Sequence, residues 1–355
     1  MPAEWEPHLA TWIAWPHNRS DWPGRFAPIP WVYGEIVRKL SQVERVRVLV
    51  RDRALEQRAR RVLAEVGAKR DAVEFYISPT DRSWTRDYCP LFVRNGRGAL
   101  GLAAWRFNAW AKYDDWKRDA AVPAYLARRL KLPMVKAEMV LEGGSIDVNG
   151  AGLLLTTEEC LLSPVQARNP GMSRAQVERR LRAHLGVQRV IWLRNGIAGD
   201  DTHGHVDDIA RFVARDTVAA ASEADPADAN YEPLRENLRI LRAAGLRVVK
   251  LPMPRPLRFA GRRLPASYAN FYIANRLVLA PTFNDPADRV ALAALERAFP
   301  DREVVGINCT ELIWGLGALH CMTQQEPAGG DPSCGRRAAP NAAGLNSARG
   351  GRKRR

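Results

Sequence analysis

The chain has 355 residues, 46% of them hydrophobic and 26% charged, which is typical of a folded globular protein. No stretch approaches the roughly 20 apolar residues of a membrane-spanning helix, and residues 1–8 do not resemble a secretory signal. The five cysteines form no Cys-x-x-Cys pair, which argues against a disulfide framework or a zinc cage. We therefore expect a cytoplasmic protein in a reducing compartment.

The formal net charge of +15 does not by itself predict a nucleic-acid-binding face. Seven arginines and lysines against one acid, Asp331, give residues 328–355 a net charge of +6. The remaining excess is spread along helix-like segments without interleaved aromatic residues, which is typical of a solvated surface. We expect neither nucleic acid nor membrane among the partners. A non-enzymatic basic binder acting through residues 328–355 remains an alternative.

Hydrophobic periodicity and turn residues predict alternating strands and helices along most of the chain. In chain order they are strand 11–15, helix 31–40, strand 45–50, helix 54–66, strand 73–77, strands 91–94 and 99–103, helix 115–130, strands 134–141 and 153–156, helix 173–185, strand 189–193, strands 209–213 and 217–221, helix 231–244, strands 246–251 and 277–280, helix 286–299 and strand 303–307. The pattern stops after Glu326, so we expect one catalytic domain over residues 1–327 and a disordered basic tail over 328–355.

One unit recurs in this pattern, a hairpin followed by a helix and a strand. Five polar residues occupy corresponding places in it, 55, 65, 63 and 51 residues apart: Asp87, Glu142, Asp207, Asn270 and Cys321. Repetition at a roughly fixed period predicts a repeat architecture. A closed ring brings all five positions to one centre, whereas a doubly wound sheet would lack a hairpin in every unit. We therefore expect an α/β ring rather than an open solenoid.

The residues expected at the centre of this ring have a recognisable chemistry. Several acids close together need a cation between them, and a planar guanidinium offers N–H donors that carboxylates accept in pairs. A thiol at Cys321 can attack the guanidinium carbon, while His205 can move protons. Gly315 and Gly317 predict a close backbone approach just before this cysteine. The candidate set is Cys321, His205, Asp87, Asp207 and Glu142.

Each candidate also has a plainer interpretation. Cys321 could be a small buried apolar residue, Asp87 a surface ion-pair partner of Arg86, and Glu142 a turn residue. His203, His205 and Asp207 together could instead form the site of a metal-dependent hydrolase, although no third histidine has a matching context. We interpret Tyr268 and Asn270 as structural residues.

Six segments together resemble the agmatine deiminases and bacterial-type peptidyl-arginine deiminases of the guanidine-modifying enzyme superfamily, over about residues 1–327. They are Met1–His8, Trp84–Asp87, Leu141–Gly144, His203–Asp207, Ser267–Tyr272 and Leu319–Thr323. The resemblance implies a five-bladed pseudosymmetric α/β propeller built from ββαβ modules, without metal or cofactor. The sequence departs from the family at Cys89, where glycine is usual, and in the tail.

The resemblance also implies a role for each matching residue. Cys321 would be the nucleophile and His205 the general acid and base. Asp87 and Asp207 would clamp the guanidinium beside Trp84, and Glu142 would orient substrate and imidazole. The thiolate would displace ammonia to give a covalent thiouronium, and water would then release a ureido product.

The implied substrate is a small cationic guanidine. Agmatine is the first choice, giving N-carbamoylputrescine and ammonia in polyamine (putrescine) biosynthesis. Peptidyl-arginine, converted to citrulline, is the alternative. The sequence does not identify the residues that bind the end of the substrate opposite the guanidinium. A homo-oligomer is compatible with the pattern.

Overall fold

The computed structural model describes residues 1–329, so the expected tail lies, apart from Ala328 and Gly329, outside the described residues. The strands are β1 (His8–Ala14), β2 (Arg45–Val50), β3 (Val73–Ile77), β4 (Leu91–Arg94), β5 (Leu100–Arg106), β6 (Met134–Val140), β7 (Asp147–Val148), β8 (Leu153–Thr157), β9 (Arg189–Leu193), β10 (Ala210–Ala214), β11 (Thr217–Ser222), β12 (Arg247–Pro252), β13 (Arg258–Phe259), β14 (Arg262–Arg263), β15 (Tyr272–Ala274), β16 (Leu277–Thr282), β17 (Glu303–Asn308) and β18 (Gln324–Pro327). The α-helices are α1 (Ile29–Leu40), α2 (Arg53–Glu65), α3 (Thr85–Tyr88), α4 (Val122–Leu130), α5 (Glu158–Leu162), α6 (Arg174–Leu185), α7 (Tyr231–Ala243) and α8 (Ala287–Ala298).

Four three-stranded sheets repeat the predicted unit. In each, the first two strands are antiparallel and the third runs parallel to the second: β4-β5-β6, β7-β8-β9, β10-β11-β12 and β15-β16-β17. A parallel pair needs a crossover, and helical segments supply it between the second and third strands. The predicted mixed α/β fold with several small sheets is therefore confirmed.

The remaining large sheet joins the two ends of the described chain. Its order is β18-β1-β2-β3, and β18 pairs antiparallel with β1 through Thr11 opposite Gln325. The backbone N–H of Ala328 also donates to the carbonyl of Pro7 at 2.8 Å. The last strand thus supplies the hairpin partner that the first strand lacks in sequence, which leaves neither β1 nor β18 without a neighbour.

Amphipathic helices cover these sheets. Helix α1 buries Tyr33, Ile36 and Leu40 in the main core, and α6 begins at Ser173, whose side chain forms a capping box with Gln176. No helix among residues 1–329 is long and apolar enough to cross a bilayer.

One predicted helix is shorter than expected, and short elements such as α5 were not predicted. The helix predicted over 115–130 is an α-helix only at Val122–Leu130, because Pro123 suits a first turn and not a helix interior. Helix α5 was not predicted, since five residues contain too little periodicity to identify a helix.

Candidate active site

The five corresponding residues each lie shortly before the first strand of an antiparallel pair. Asp87 is in α3 before β4, and Glu142 opens the turn before β7. Asp207 lies in a 3₁₀ turn before β10, Asn270 precedes β15, and Cys321 precedes β18. The structure therefore repeats the placement that the sequence spacing predicted.

A cavity of about 330 Å³ opens beside two of these residues, Asp87 and Cys321. Its inner end includes Trp84, Asp87, Trp110 and Cys321, with Gly315 and Gly317 along one wall. A Cβ atom at either glycine would lie 2.9 Å from a ring atom of Trp84. At Gly315 the indole of Trp22 is closer still, with Nε1 2.5 Å from such a Cβ. The expected close approach before Cys321 is therefore an approach to two indoles, which only glycine allows. The outer end includes the more exposed Tyr113, Asp201 and Arg262, and the buried Asp21 and Arg82 also line the cavity.

Two carboxylates flank one nitrogen of the central imidazole. His205 Nδ1 lies 3.9 Å from Asp87 Oδ1 and 3.9 Å from Asp207 Oδ1. Asp87 is held by Trp110 Nε1 at 2.9 Å and by the backbone N–H of Gly144 at 3.1 Å. A Cβ at Gly144 would lie 2.6 Å from His205 Nδ1, so this position also requires glycine.

The other nitrogen of His205 faces a buried ion pair. Its Nε2 is 3.6 Å from Glu142 Oε2, and Glu142 Oε1 accepts a hydrogen bond from Arg168 Nε at 3.0 Å. Arg168 is itself held by the carbonyls of Gln166 and Thr202. All three charged side chains are fully shielded from solvent, so the Arg168 bonds fix the carboxylate that orients the imidazole.

The buried charges shift one another's pKa values in different directions. Burial and the negative charges of Asp207 and Glu142 raise the pKa of Asp87 to about 6, because together they outweigh the lowering effect of the His205 charge. Burial would also raise the pKa of Glu142, but Arg168 and His205 lower it to about 2. Burial disfavours the imidazolium, yet the charge of Asp87 and contacts with Cys160 and Glu142 raise the pKa of His205. At neutral pH the site thus favours a protonated His205.

The candidate nucleophile is held by an amide and faces an acid. Cys321 Sγ is 3.1 Å from Asn270 Nδ2 and 3.7 Å from Asp207 Oδ2. Asn270 Oδ1 also accepts from the backbone N–H of His320 at 3.0 Å. Asp207 Oδ2 in turn pairs with His320 Nδ1 at 2.7 Å. These contacts place the thiol at the inner end of the cavity.

The free enzyme is expected to keep this thiol protonated. Burial, followed by the charges of Asp207, Asp208 and Asp87, raises the pKa of Cys321 well above its usual value. A raised pKa means that the thiolate appears only as pH rises through the shifted value. We predict that the rate of Cys321 alkylation by iodoacetamide, followed by peptide mass spectrometry, still increases above pH 9. A plateau below pH 8 would contradict this prediction.

The structure brings together all five residues proposed from the sequence, with Trp84 beside them. Sequence reasoning missed the roles of Trp110, Arg168 and His320. Trp110 and Arg168 lie in segments without a local signal, whereas His320 lies within the Leu319–Thr323 motif and only its contact with Asp207 was missed. It also treated Asn270 as structural, although its amide touches the thiol. The regular spacing that included Asn270 was the available signal.

The three residues of the alternative metal site, His203, His205 and Asp207, do not lie around a common point. The His203 ring contacts Ser163 Oγ at 3.1 Å and lies 3.7 Å from Glu159, away from Asp207. Among residues 1–329, the clusters with metal-ligand spacing are Glu142–Cys160–His205 and Asp207–Asp208–Cys321. Arg168 neutralises Glu142 in the first, and neither cluster contains His203. The geometry thus gives no support to a hydrolase based on that trio.

Comparison with known proteins supports the mixed α/β fold described above. The family model of the Porphyromonas-type peptidyl-arginine deiminases matches residues 1–327. Agmatine deiminase of Ectopseudomonas mendocina is 37% identical over 358 residues, covering 92% of this chain and 95% of that protein. The chain therefore belongs to the Porphyromonas-type peptidyl-arginine deiminase family, as the sequence motifs indicated.

Two solved structures are similar over nearly the whole chain. One is a cysteine-to-serine variant of C. jejuni agmatine deiminase with substrate bound, with a TM-score of 0.84, 31% identity and coverage of 93% of this chain and 96% of that one. The other is the putative arginine deiminase of Porphyromonas gingivalis, with a TM-score of 0.84, 36% identity and coverage of 93% and 98%.

Proposed function

We propose that this protein is an agmatine deiminase that hydrolyses the guanidinium group to N-carbamoylputrescine and ammonia, a step towards putrescine. One observation carries the proposal. Among residues 1–329, Asp207 Oδ1 is a buried carboxylate oxygen without a hydrogen-bond partner. It lies 3.9 Å from His205 Nδ1, and the other oxygen of the same carboxylate lies 3.7 Å from the Cys321 thiol. A bound guanidinium would satisfy the carboxylates with its N–H donors. The agmatine deiminase relatives support the same substrate.

Binding and chemistry use different groups. Asp87 and Asp207 clamp the guanidinium from two sides, and Trp84 and Trp110 shield it from water at the inner end of the cavity. The substrate cation offsets the acidic charges that hold the Cys321 pKa high, so binding favours the thiolate. Because His205 is already protonated, the thiol proton leaves to solvent through Asp207, whose Oδ2 lies 3.7 Å from Sγ, and the nucleophile forms where its target lies.

The reaction then proceeds through a covalent intermediate. The thiolate forms a C–S bond to the guanidinium carbon, and protonated His205 gives a proton to the departing ammonia as the C–N bond breaks. This leaves an S-alkylthiouronium and a neutral imidazole. His205 then accepts a proton from water, the resulting hydroxide attacks the same carbon, and the C–S bond breaks. The hydroxyl proton of the tetrahedral intermediate passes to the departing sulfur, so the products are the ureido compound and the regenerated thiol, with His205 again protonated.

We further infer that the five larger sheets are the blades of one closed α/β propeller, and that residues 1–327 are a single catalytic domain. Three features support this arrangement: the repeated unit, the pairing of β18 with β1, and the direct contacts between equivalent loops.

A second substrate, peptidyl-arginine, is favoured by the outer end of the cavity. The ammonium group of agmatine requires an acid there. Asp201 is present, but it is paired with Lys112, is 3.7 Å from Arg262 and accepts a hydrogen bond from Tyr113 at 2.6 Å. Such a shared carboxylate attracts an ammonium less strongly than a free one. A neutral peptide end would leave these pairs intact.

A direct comparison of substrates tests the proposal. A carbamoyl colour assay on agmatine, free arginine and a blocked arginine peptide should give the highest kcat/KM for agmatine. Turnover should survive dialysis against a strong chelator and should stop after iodoacetamide treatment. Preference for the peptide would support the second substrate. Loss of activity with chelator and recovery with zinc would overturn the thiol mechanism.

A further inference from the structure

The short helix α5 packs against the segment that carries His205. Thr157, its N-cap, accepts a hydrogen bond from the backbone N–H of Cys160 at 3.0 Å and donates one to the carbonyl of Gly204 at 2.6 Å. At the other end, Ser163 contacts the His203 ring at 3.1 Å. Bonds at both ends of the helix therefore fix the His203–His205 backbone.

The fit between helix and segment is close. Gly204 has a φ of +94°, and a Cβ there would lie 2.9 Å from Glu159 Cβ. Glu159 also accepts a hydrogen bond from the backbone N–H of Gly196. A larger residue at position 204 would separate α5 from the His205 segment, so the contact itself requires glycine.

From this helix a second thiol reaches the central imidazole. Cys160 is 1% exposed, and its Sγ lies within 4.8 Å of both a ring nitrogen of His205 and a carboxylate oxygen of Glu142. Glu142 faces Nε2, whereas Asp87 and Asp207 flank Nδ1. Cys160 therefore lies on the Glu142 side of the ring. The reaction steps proposed above do not use it.

We propose that Cys160 is a positioning residue, whose sulfur, together with Glu142, holds the His205 ring so that Nδ1 faces the bound guanidinium. The proposal rests on the deiminase function, since it concerns the imidazole of that reaction. A 180° rotation of the ring about the Cβ–Cγ bond would put Cδ2 in the place of Nδ1 and Cε1 in the place of Nε2, and so remove the reacting nitrogen from its place. Sulfur is a weak hydrogen-bond acceptor, and it stabilises the protonated ring that delivers a proton to ammonia.

The plainer interpretation is that Cys160 only fills space, as most buried free cysteines do. It belongs to an apolar cluster with Leu154, Leu161 and Val177. Cys309 supplies a matched control, because it is equally buried and its backbone hydrogen bonds go to Thr282 and Ile313, neither of which is a site residue described above. Replacing either cysteine with alanine removes the same sulfur atom and leaves a similar cavity.

The test compares Cys160→Ala, Cys160→Ser and Cys309→Ala in the full-length protein. Cys160→Ala should lower kcat about 10-fold with KM changed less than about twofold, because a misplaced catalytic group costs turnover more than binding. The alkaline limb of its kcat–pH profile should move to lower pH, since the acceptor that favours imidazolium is lost. Cys160→Ser keeps an acceptor and should restore both. Cys309→Ala should lower only the melting temperature.

A spectroscopic measurement separates this inference from the proposed function. Imidazole ¹⁵N NMR should show the His205 titration at lower pH in Cys160→Ala than in the unaltered protein and in Cys309→Ala, whatever the substrate is. Equal His205 titrations and equal kcat in the two alanine variants would show that Cys160 only fills space. Failure of the unaltered protein to turn over any guanidine would instead reject the function and leave the ring measurement valid.

Discussion

Cys321→Ala is expected to abolish turnover and still bind agmatine. The change removes the nucleophile, so the rate should fall by at least ~10⁴-fold, the order seen when a covalent catalyst loses its attacking atom. The acid clamp remains, because Asp87 is held by Trp110 and Gly144, and Asp207 by His320. Isothermal titration calorimetry should therefore give a Kd within a few-fold of the KM of the unaltered enzyme.

The nucleophile can also be identified without a variant. Mass spectrometry of an acid-stopped reaction should find the substrate adduct on the peptide that contains Cys321. Cys89, Cys160 and Cys309 are the other buried free cysteines within residues 1–329, and burial raises the pKa of Cys89 and Cys309 as well. An adduct on one of them, or appreciable ammonia release by Cys321→Ala, would contradict the assignment.

Asp207→Asn is expected to impair both binding and chemistry. It preserves the shape of the side chain but removes the charge facing the guanidinium, and a charge-assisted hydrogen bond contributes roughly 1.5–3 kcal/mol. Agmatine binding should weaken by about one to two orders of magnitude, with turnover also reduced. The variant should also react with iodoacetamide at lower pH, because the charge of Asp207 helps to raise the pKa of Cys321.

Asp216→Asn is a suitable control for this variant. Asp216 is an exposed acid paired with Arg247 on the surface, so the same loss of charge there should change neither Kd nor kcat measurably. Unchanged agmatine affinity in Asp207→Asn would show that Asp207 is not part of the guanidinium clamp. An unchanged alkylation profile would show that its charge does not control the thiol.

The sequence by itself determined much of the repeated unit and the residues that carry the chemistry. The Asn95–Gly96 dipeptide between two apolar runs predicts a hairpin. Helices such as α6 are predicted by their capping residues and by the periodic spacing of their apolar residues. The spacing of Asp87, Glu142, Asp207 and Cys321 then indicated a common centre. These features depend on neighbouring residues or on regular intervals, so they can be read without coordinates.

Only the tertiary structure decided what surrounds each reacting group. Arg168 meets Glu142 and His320 meets Asp207 across long sequence separations, and no periodicity connects such pairs. The same holds for the pairing of β1 with β18 and for Cys160, which reaches His205 from a helix too short to predict. Contacts between distant segments depend on how the sheets pack, because the side chains meet only after folding has fixed their backbones. That packing sets which carboxylate is neutralised, which thiol faces the cavity and which nitrogen of the imidazole is free to react.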